Sequence, residues 1–153
     1  MRQPHQEGGP TPIRLVGLSA FPLTPLRDDA VDECAFIGLV ERLTAAGVDS
    51  ITALGSTGSY AYLTPAERAR VARLAVEYAG STPVFIGVGD LRTSHVLAHV
   101  DSAEKAGAAG VLLAPMTYQP LTDDDVFRLF RTVIEHTDLP VIVYDNPGTT
   151  HFT

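Results

Sequence analysis

Apolar residues in this chain recur in two alternating rhythms. Short runs rich in β-branched and aliphatic residues, at 15–21, 50–54, 84–88, 110–114 and 141–143, each stop at turn residues. Between them lie longer stretches whose apolar positions fall three or four apart, the spacing of one face of a helix. The first, about 32–46, aligns Phe36, Ile37, Leu39, Val40 and Leu43 and ends at Gly47. The second opens with Thr64-Pro65-Ala66-Glu67, a capping box with proline at the first helical position, and carries Val71, Leu74, Ala75 and Tyr78. The third covers about 94–106. The fourth is opened by Thr122 and Asp125 and gathers Val126, Leu129, Phe130, Val133 and Ile134 on one face.

A strand and a helix therefore repeat about every thirty residues, the length of a βαβ unit. Such alternation predicts parallel strands joined by right-handed crossovers. Two α/β architectures fit: a complete five-stranded doubly wound sheet, or the N-terminal half of a (β/α)8 TIM barrel, whose full form needs about 250 residues. After Val143 the chain runs through Tyr144-Asp145-Asn146-Pro147-Gly148 and on to Thr153 with no helical pattern to cover the fifth strand. A finished open sheet normally docks a helix there, so the ending favours the half barrel, interrupted after strand five. Residues 1–12, polar and rich in Gly and Pro, are expected to form a disordered lead, with the partial barrel domain covering 13–153.

Composition narrows the function classes. Eleven Lys and Arg against eighteen Asp and Glu give a formal charge of -7, and no basic cluster offers a nucleic-acid footprint. Apolar runs are far shorter than the roughly 20 residues of a membrane span, and no secretory leader is visible, so a soluble cytoplasmic protein is expected. Cys34, alone and beside Asp32 and Glu33, reads as a small buried hydrophobe. His95 and His99 stand at the i,i+4 spacing of a metal pair but lack the glutamate of a zincin helix, and read as a solvated helix face.

Two places carry candidate chemistry. Tyr144 ends the fifth strand, the position where parallel sheets meet their ligands; packing against a helix is the alternative, as is simple turn capping for Asn146. Gly55-Ser56-Thr57-Gly58-Ser59 follows the second strand and suits an anion nest, or else its glycines merely permit the turn. It lacks both the Gly-x-Gly-x-x-Gly spacing and a P-loop lysine, which weighs against a nucleotide.

Taken together, Ala20-Phe21-Pro22-Leu23-Thr24-Pro25, Gly55-Ser56-Thr57-Gly58, Gly87-Val88-Gly89, Pro115 after the fourth strand and Tyr144-Asp145-Asn146-Pro147 resemble the dihydrodipicolinate synthase and N-acetylneuraminate lyase family of pyruvate-dependent aldolases and dehydratases. The resemblance spans residues 13–153. It implies a (β/α)8 barrel, usually tetrameric, that forms a Schiff base between a lysine and a 2-keto acid such as pyruvate, with neither cofactor nor metal. It further implies that Ser56, Thr57 and Gly58 bind the keto-acid carboxylate, and that Tyr144, relayed through Thr57, shuttles protons. Ser59, where many members have glutamate, together with Tyr60 and Asn146, would mark a substrate subgroup. Met116 and Thr117 replace a tyrosine pair after Pro115, with Tyr118 one place late, which disfavours lysine biosynthesis as the specific role.

The resemblance places the Schiff-base lysine at the end of a sixth strand. The one lysine in these 153 residues is Lys105, near the end of the third helix and at the far rim from the strand-to-helix loops. Three readings follow: a lyase-family chain inactive alone, a non-catalytic module binding a keto acid or another small anion, or a half barrel that self-associates or assembles with a complementary chain.

Overall fold

The computed structural model describes residues 15–145. The expected disordered lead and Asn146, Pro147 and Gly148 lie outside these residues. Five parallel strands form one sheet: β1 (Ser19–Ala20), β4 (Ser50–Ala53), β5 (Val84–Gly87), β6 (Gly110–Leu113) and β7 (Val141–Val143). A separate antiparallel pair, β2 (Leu26–Arg27) and β3 (Ala30–Val31), precedes the first helix. The helices are α1 (Glu33–Ala45), α2 (Pro65–Tyr78), α3 (Thr93–Ala106) and α4 (Asp123–His136), and a single 3-10 turn spans Tyr60–Tyr62.

The sheet order is β1-β4-β5-β6-β7, so every strand pairs with the next one along the chain. A doubly wound sheet reverses direction to put helices on both faces; here the order never reverses. Consecutive helices touch, α1 with α2, α2 with α3 and α3 with α4. The arrangement is the wall of a barrel rather than an open sheet, which decides between the two expected architectures.

Side-chain alternation assigns the faces. Ile51, Ala53, Val84, Ile86, Val111 and Leu113 point to the helices and join Phe36, Val40, Val71, Leu74, Val96, Val100 and Val133 in the main core. Their neighbours Ser50, Thr52, Phe85, Leu112 and Ile142 line the concave face with Ser19 and Phe21. Gly110 is small for a packing reason: a Cβ there would lie 2.7 Å from the Pro140 carbonyl and 3.0 Å from the ring of Phe85, its register partner.

Helix starts follow the sequence closely. Thr64 and Glu67 close a reciprocal capping box, the Thr64 amide donating to the Glu67 carboxylate at 2.8 Å, and Thr122 with Asp125 does the same. The Asp32 side chain caps α1, accepting from the Ala35 amide at 3.0 Å.

Two expectations need correction, and one element is new. The first strand shrinks to two residues, because Gly17 takes a left-handed conformation (φ +83°) and the Leu18 amide donates to the Asp49 carboxylate at 2.7 Å instead of entering a ladder. Cys34 is exposed, since it lies two residues before Phe36 and so on the opposite side of α1 from the packing stripe. The β2–β3 hairpin was not expected at all: Asp28 and Asp29 both adopt positive φ (50° and 62°), a two-residue turn built without the usual glycine.

Candidate functional site

The C-terminal ends of the strands converge on a cleft with two lobes. β4 leaves the sheet after Ala53 through Leu54, whose φ of +59° swings the chain aside. The following loop winds as two overlapping turns, with the Gly58 amide donating to the Gly55 carbonyl at 2.9 Å and the Ser59 amide to the Ser56 carbonyl at 3.1 Å. Close approach favours glycine twice. A Cβ on Gly55 would lie 2.8 Å from the Phe21 ring, and one on Gly58 would lie 3.1 Å from the Leu54 nitrogen.

The inner lobe holds about 60 Å³ and is walled by Phe21, Leu54 and Leu112, with Ser56, Thr57, Tyr60 and Tyr144 as its polar members. The outer lobe, about 240 Å³, shares Ser56, Tyr60, Ala114 and Tyr144 and adds Ser59, Tyr62, Pro115 and Met116. Thus Ser56, Thr57, Tyr60 and Tyr144 do come together, from the loop after β4 and from the residue after β7. Tyr144 is half-buried, and its amide donates to the Leu113 carbonyl at 3.0 Å, continuing the β6–β7 ladder. Gly58 is buried under the loop with its amide turned to Gly55, so it shapes the turn, while Ser56 and Thr57 are exposed and line the inner lobe. Ser59 stands in the left-handed region (φ +55°) at the head of the 3-10 turn that carries Tyr60. Lys105 sits exposed in the last turn of α3. That end of a helix feeds the next strand's start, so Lys105 lies at the rim opposite the cleft.

Behind the cleft is a polar cluster that sequence reasoning missed. Asp90 accepts from Arg68 Nη1 at 3.4 Å, lies 3.1 Å from His99 Nε2 and 3.2 Å from His95 Nδ1, and takes the Arg92 amide at 3.4 Å. The expected solvated face holds for His95, which is exposed, but not for His99, which is buried, and both rings turn to one carboxylate. Among the described residues no group of three or more His, Cys, Asp or Glu is arranged to hold a metal ion. None of their helices is long and apolar enough to cross a membrane.

Burial opposes charge on His99, with Arg68 and His95 adding to it and Asp90 opposing, and the net effect is a pKa below the ordinary value of 6.5. Burial also works against the Asp90 carboxylate, but the bonds from His99, Arg92 and His95 and the charge of Arg68 outweigh it and hold the group below its usual range. Both groups bind protons less readily folded than unfolded. Stability is then full above about pH 6.5 and falls as acid protonates first the unfolded state's histidine and then, at lower pH, its carboxylate. Urea midpoints are expected to drop between pH 7.5 and 5, and less steeply in His99→Gln. A midpoint flat over that range would contradict the burial of neutral His99.

Comparison with known proteins places this geometry. The model of the dihydrodipicolinate synthetase family matches residues 14–153. The 4-hydroxy-tetrahydrodipicolinate synthase of Hyphomonas neptunium is 38% identical over 129 residues, 84% of this chain and 44% of that protein. Among solved structures, a dihydrodipicolinate synthase from Agrobacterium tumefaciens superposes with a TM-score of 0.86 at 46% identity, covering 90% of this chain and 47% of that one. YagE, a prophage protein of the dihydrodipicolinic acid synthase family from E. coli K12 solved with pyruvate, gives 0.85 at 29% identity with the same coverage. The chain spans under half the length of these relatives and corresponds to the N-terminal half of their barrel. The family match runs through the loop after β4, the β5 glycines and β7 alike, and the chain belongs to the dihydrodipicolinate synthetase family.

Proposed function

We propose that this chain carries the keto-acid-binding half of a Schiff-base lyase site. The observation that carries the reading is the meeting of Ser56, Thr57 and Tyr144 around one small lobe at the C-terminal ends of the strands. The Ser56 and Thr57 hydroxyls donate to the carboxylate of pyruvate or a related 2-keto acid, against an apolar wall that strengthens each bond. The Tyr144 phenol, reaching a proton path through Thr57, gives and recovers the proton that carbinolamine formation and collapse require. Tyr60, Ser59 and Asn146 bear on the choice of second reactant. The complex of YagE with pyruvate supports the ligand class.

Schiff-base chemistry also needs an amine within reach of the carbonyl. Lys105 is the one lysine in the sequence and lies at the far rim, so the 153 residues alone bind without turnover. Calorimetry with pyruvate tests the binding half of this reading. Saturable binding is expected, weakened about tenfold or more by Ser56→Ala or Thr57→Val, as befits loss of a hydrogen bond to a charged group. Borohydride with pyruvate is expected to leave the chain unlabelled; a trapped adduct on Lys105 would overturn the assignment.

A second reading, assembly of half barrels with one another or with a complementary chain, is favoured by exposed Leu15, Val16 and Phe21 around the concave hollow, between two strand edges that pair with nothing among the described residues.

A further inference from the structure

Arg68 stands in the first turn of α2, next to Glu67 of the capping box. A cation there faces the positive end of the helix dipole, and an arginine on such a helix ordinarily extends to water. Arg70, two positions on, does so, forming a two-pronged pair with Glu33 of α1 at 2.8 and 2.7 Å. Arg68 instead turns inward and is only 4% exposed. Burial depresses its pKa to about 10, with Asp90 and Tyr60 opposing, so it remains a cation at neutral pH.

Its partners explain why the cation is retained. Once β4 veers off at Leu54, the end of β5 runs on beside no strand on that side among the described residues. Arg68 supplies the donors there: Nη2 reaches the Gly87 carbonyl at 3.1 Å and Nη1 the Gly89 carbonyl at 3.0 Å. The fork fits this pair of acceptors, which a lysine ammonium cannot span. The same guanidinium carbon lies 5.3 Å from the centroid of the Tyr60 ring, within cation–π range.

Tyr60 and Tyr62 are carried by one short 3-10 turn, yet their fates differ. Tyr62 is 85% exposed, whereas Tyr60 is half-buried and lines both lobes of the cleft. Gly89 passes under this ring: a Cβ there would fall 2.6 Å from the Ala114 carbonyl, which requires glycine, and would touch the Tyr60 oxygen at an ordinary 3.4 Å. One side chain thus ties the end of β5 to the ring that walls the cleft. We propose that Arg68 is a positioning residue, which through its grip on the Gly87 and Gly89 carbonyls and the face of Tyr60 holds that phenol against the bound keto acid and its second reactant. The part concerning the ligand rests on the keto-acid reading above; the part concerning the ring does not.

Fluorine NMR of the chain grown with 3-fluorotyrosine separates the two. Five tyrosines give five resonances, and Tyr60→Phe assigns the relevant one. In the parent chain a soluble paramagnetic agent is expected to broaden Tyr62 and Tyr118 strongly and Tyr60 little, and pyruvate to shift Tyr60. In Arg68→Met the Tyr60 resonance is expected to become as accessible as that of Tyr62 and to lose its pyruvate shift, while Tyr78 stays as in the parent. Tyr60 remaining protected in a folded Arg68→Met chain would overturn the proposal. Should that variant unfold, Arg68→Lys keeps the charge but not the fork; Tyr60 must then become more accessible than in the parent, and unchanged protection refutes the proposal equally. A parent chain with Tyr60 protected but insensitive to pyruvate would reject the keto-acid reading and leave the test of Arg68 intact.

Discussion

Gly87→Val is expected to prevent folding, and Gly87→Ala to cost about 3 kcal/mol or more, at the upper end of what overpacking exacts. The reason is the approach of two backbones. A Cβ on Gly87 would fall 1.9 Å from the Leu54 carbonyl oxygen and 2.7 Å from its carbon, so no side-chain rotation relieves the collision. Leu54 has little freedom to retreat, being buried and already left-handed where β4 turns into the binding loop. Any shift of β5 would also drag the Gly87 carbonyl away from Arg68. Urea unfolding of Gly87→Ala checks this, and a midpoint equal to the parent's would show that the two backbones do not meet as described.

The isolated chain is expected to associate, eluting at a mass at least twice its own 16.3 kDa and melting at a temperature that rises with protein concentration. Two features drive this. Leu15, Val16, Leu18 and Phe21 are exposed beside β1, and Val143 is exposed on β7, so apolar surface and unpaired strand groups coincide at both edges. The same exposed Leu15, Val16 and Phe21 border a concave hollow of about 240 Å³, floored by the buried Phe85 and Leu112, that no described element fills. Size-exclusion chromatography over a dilution series gives the answer; a compact 16 kDa monomer with a concentration-independent melt would rule the association out.

What the sequence disclosed depended on how local the cause was. The capping boxes at Thr64 and Thr122 are complete within four residues, and both helices begin where those residues predict. The convergence of Ser56, Thr57 and Tyr144 was legible only through the family resemblance, while strand geometry alone put Tyr144 and the 55–59 loop at strand ends. The hairpin at Asp28-Asp29 was not, since two aspartates in the left-handed region carry none of the signal that Asn-Gly would. Arg68 was hidden for a different reason. In sequence it is one more charge on an amphipathic helix, and the carbonyls that draw it inward lie 19 and 21 residues away. Only the veering of β4 at Leu54 creates the place it occupies. His99 follows the same logic, because nothing local to α3 announces that Asp90 will be turned toward it.

The strictly sequential strand order has a bearing on how the molecule is made. Each new strand finds its one earlier partner already emitted from the ribosome, and each helix packs on the helix before it. No pairing waits for a distant segment, so the wall is expected to grow from β1 towards β7 during synthesis, one βα unit at a time. Growth of that kind always leaves the newest strand as a live template, and β7 ends in that position, ready to register the next parallel strand presented to it, whichever chain supplies it.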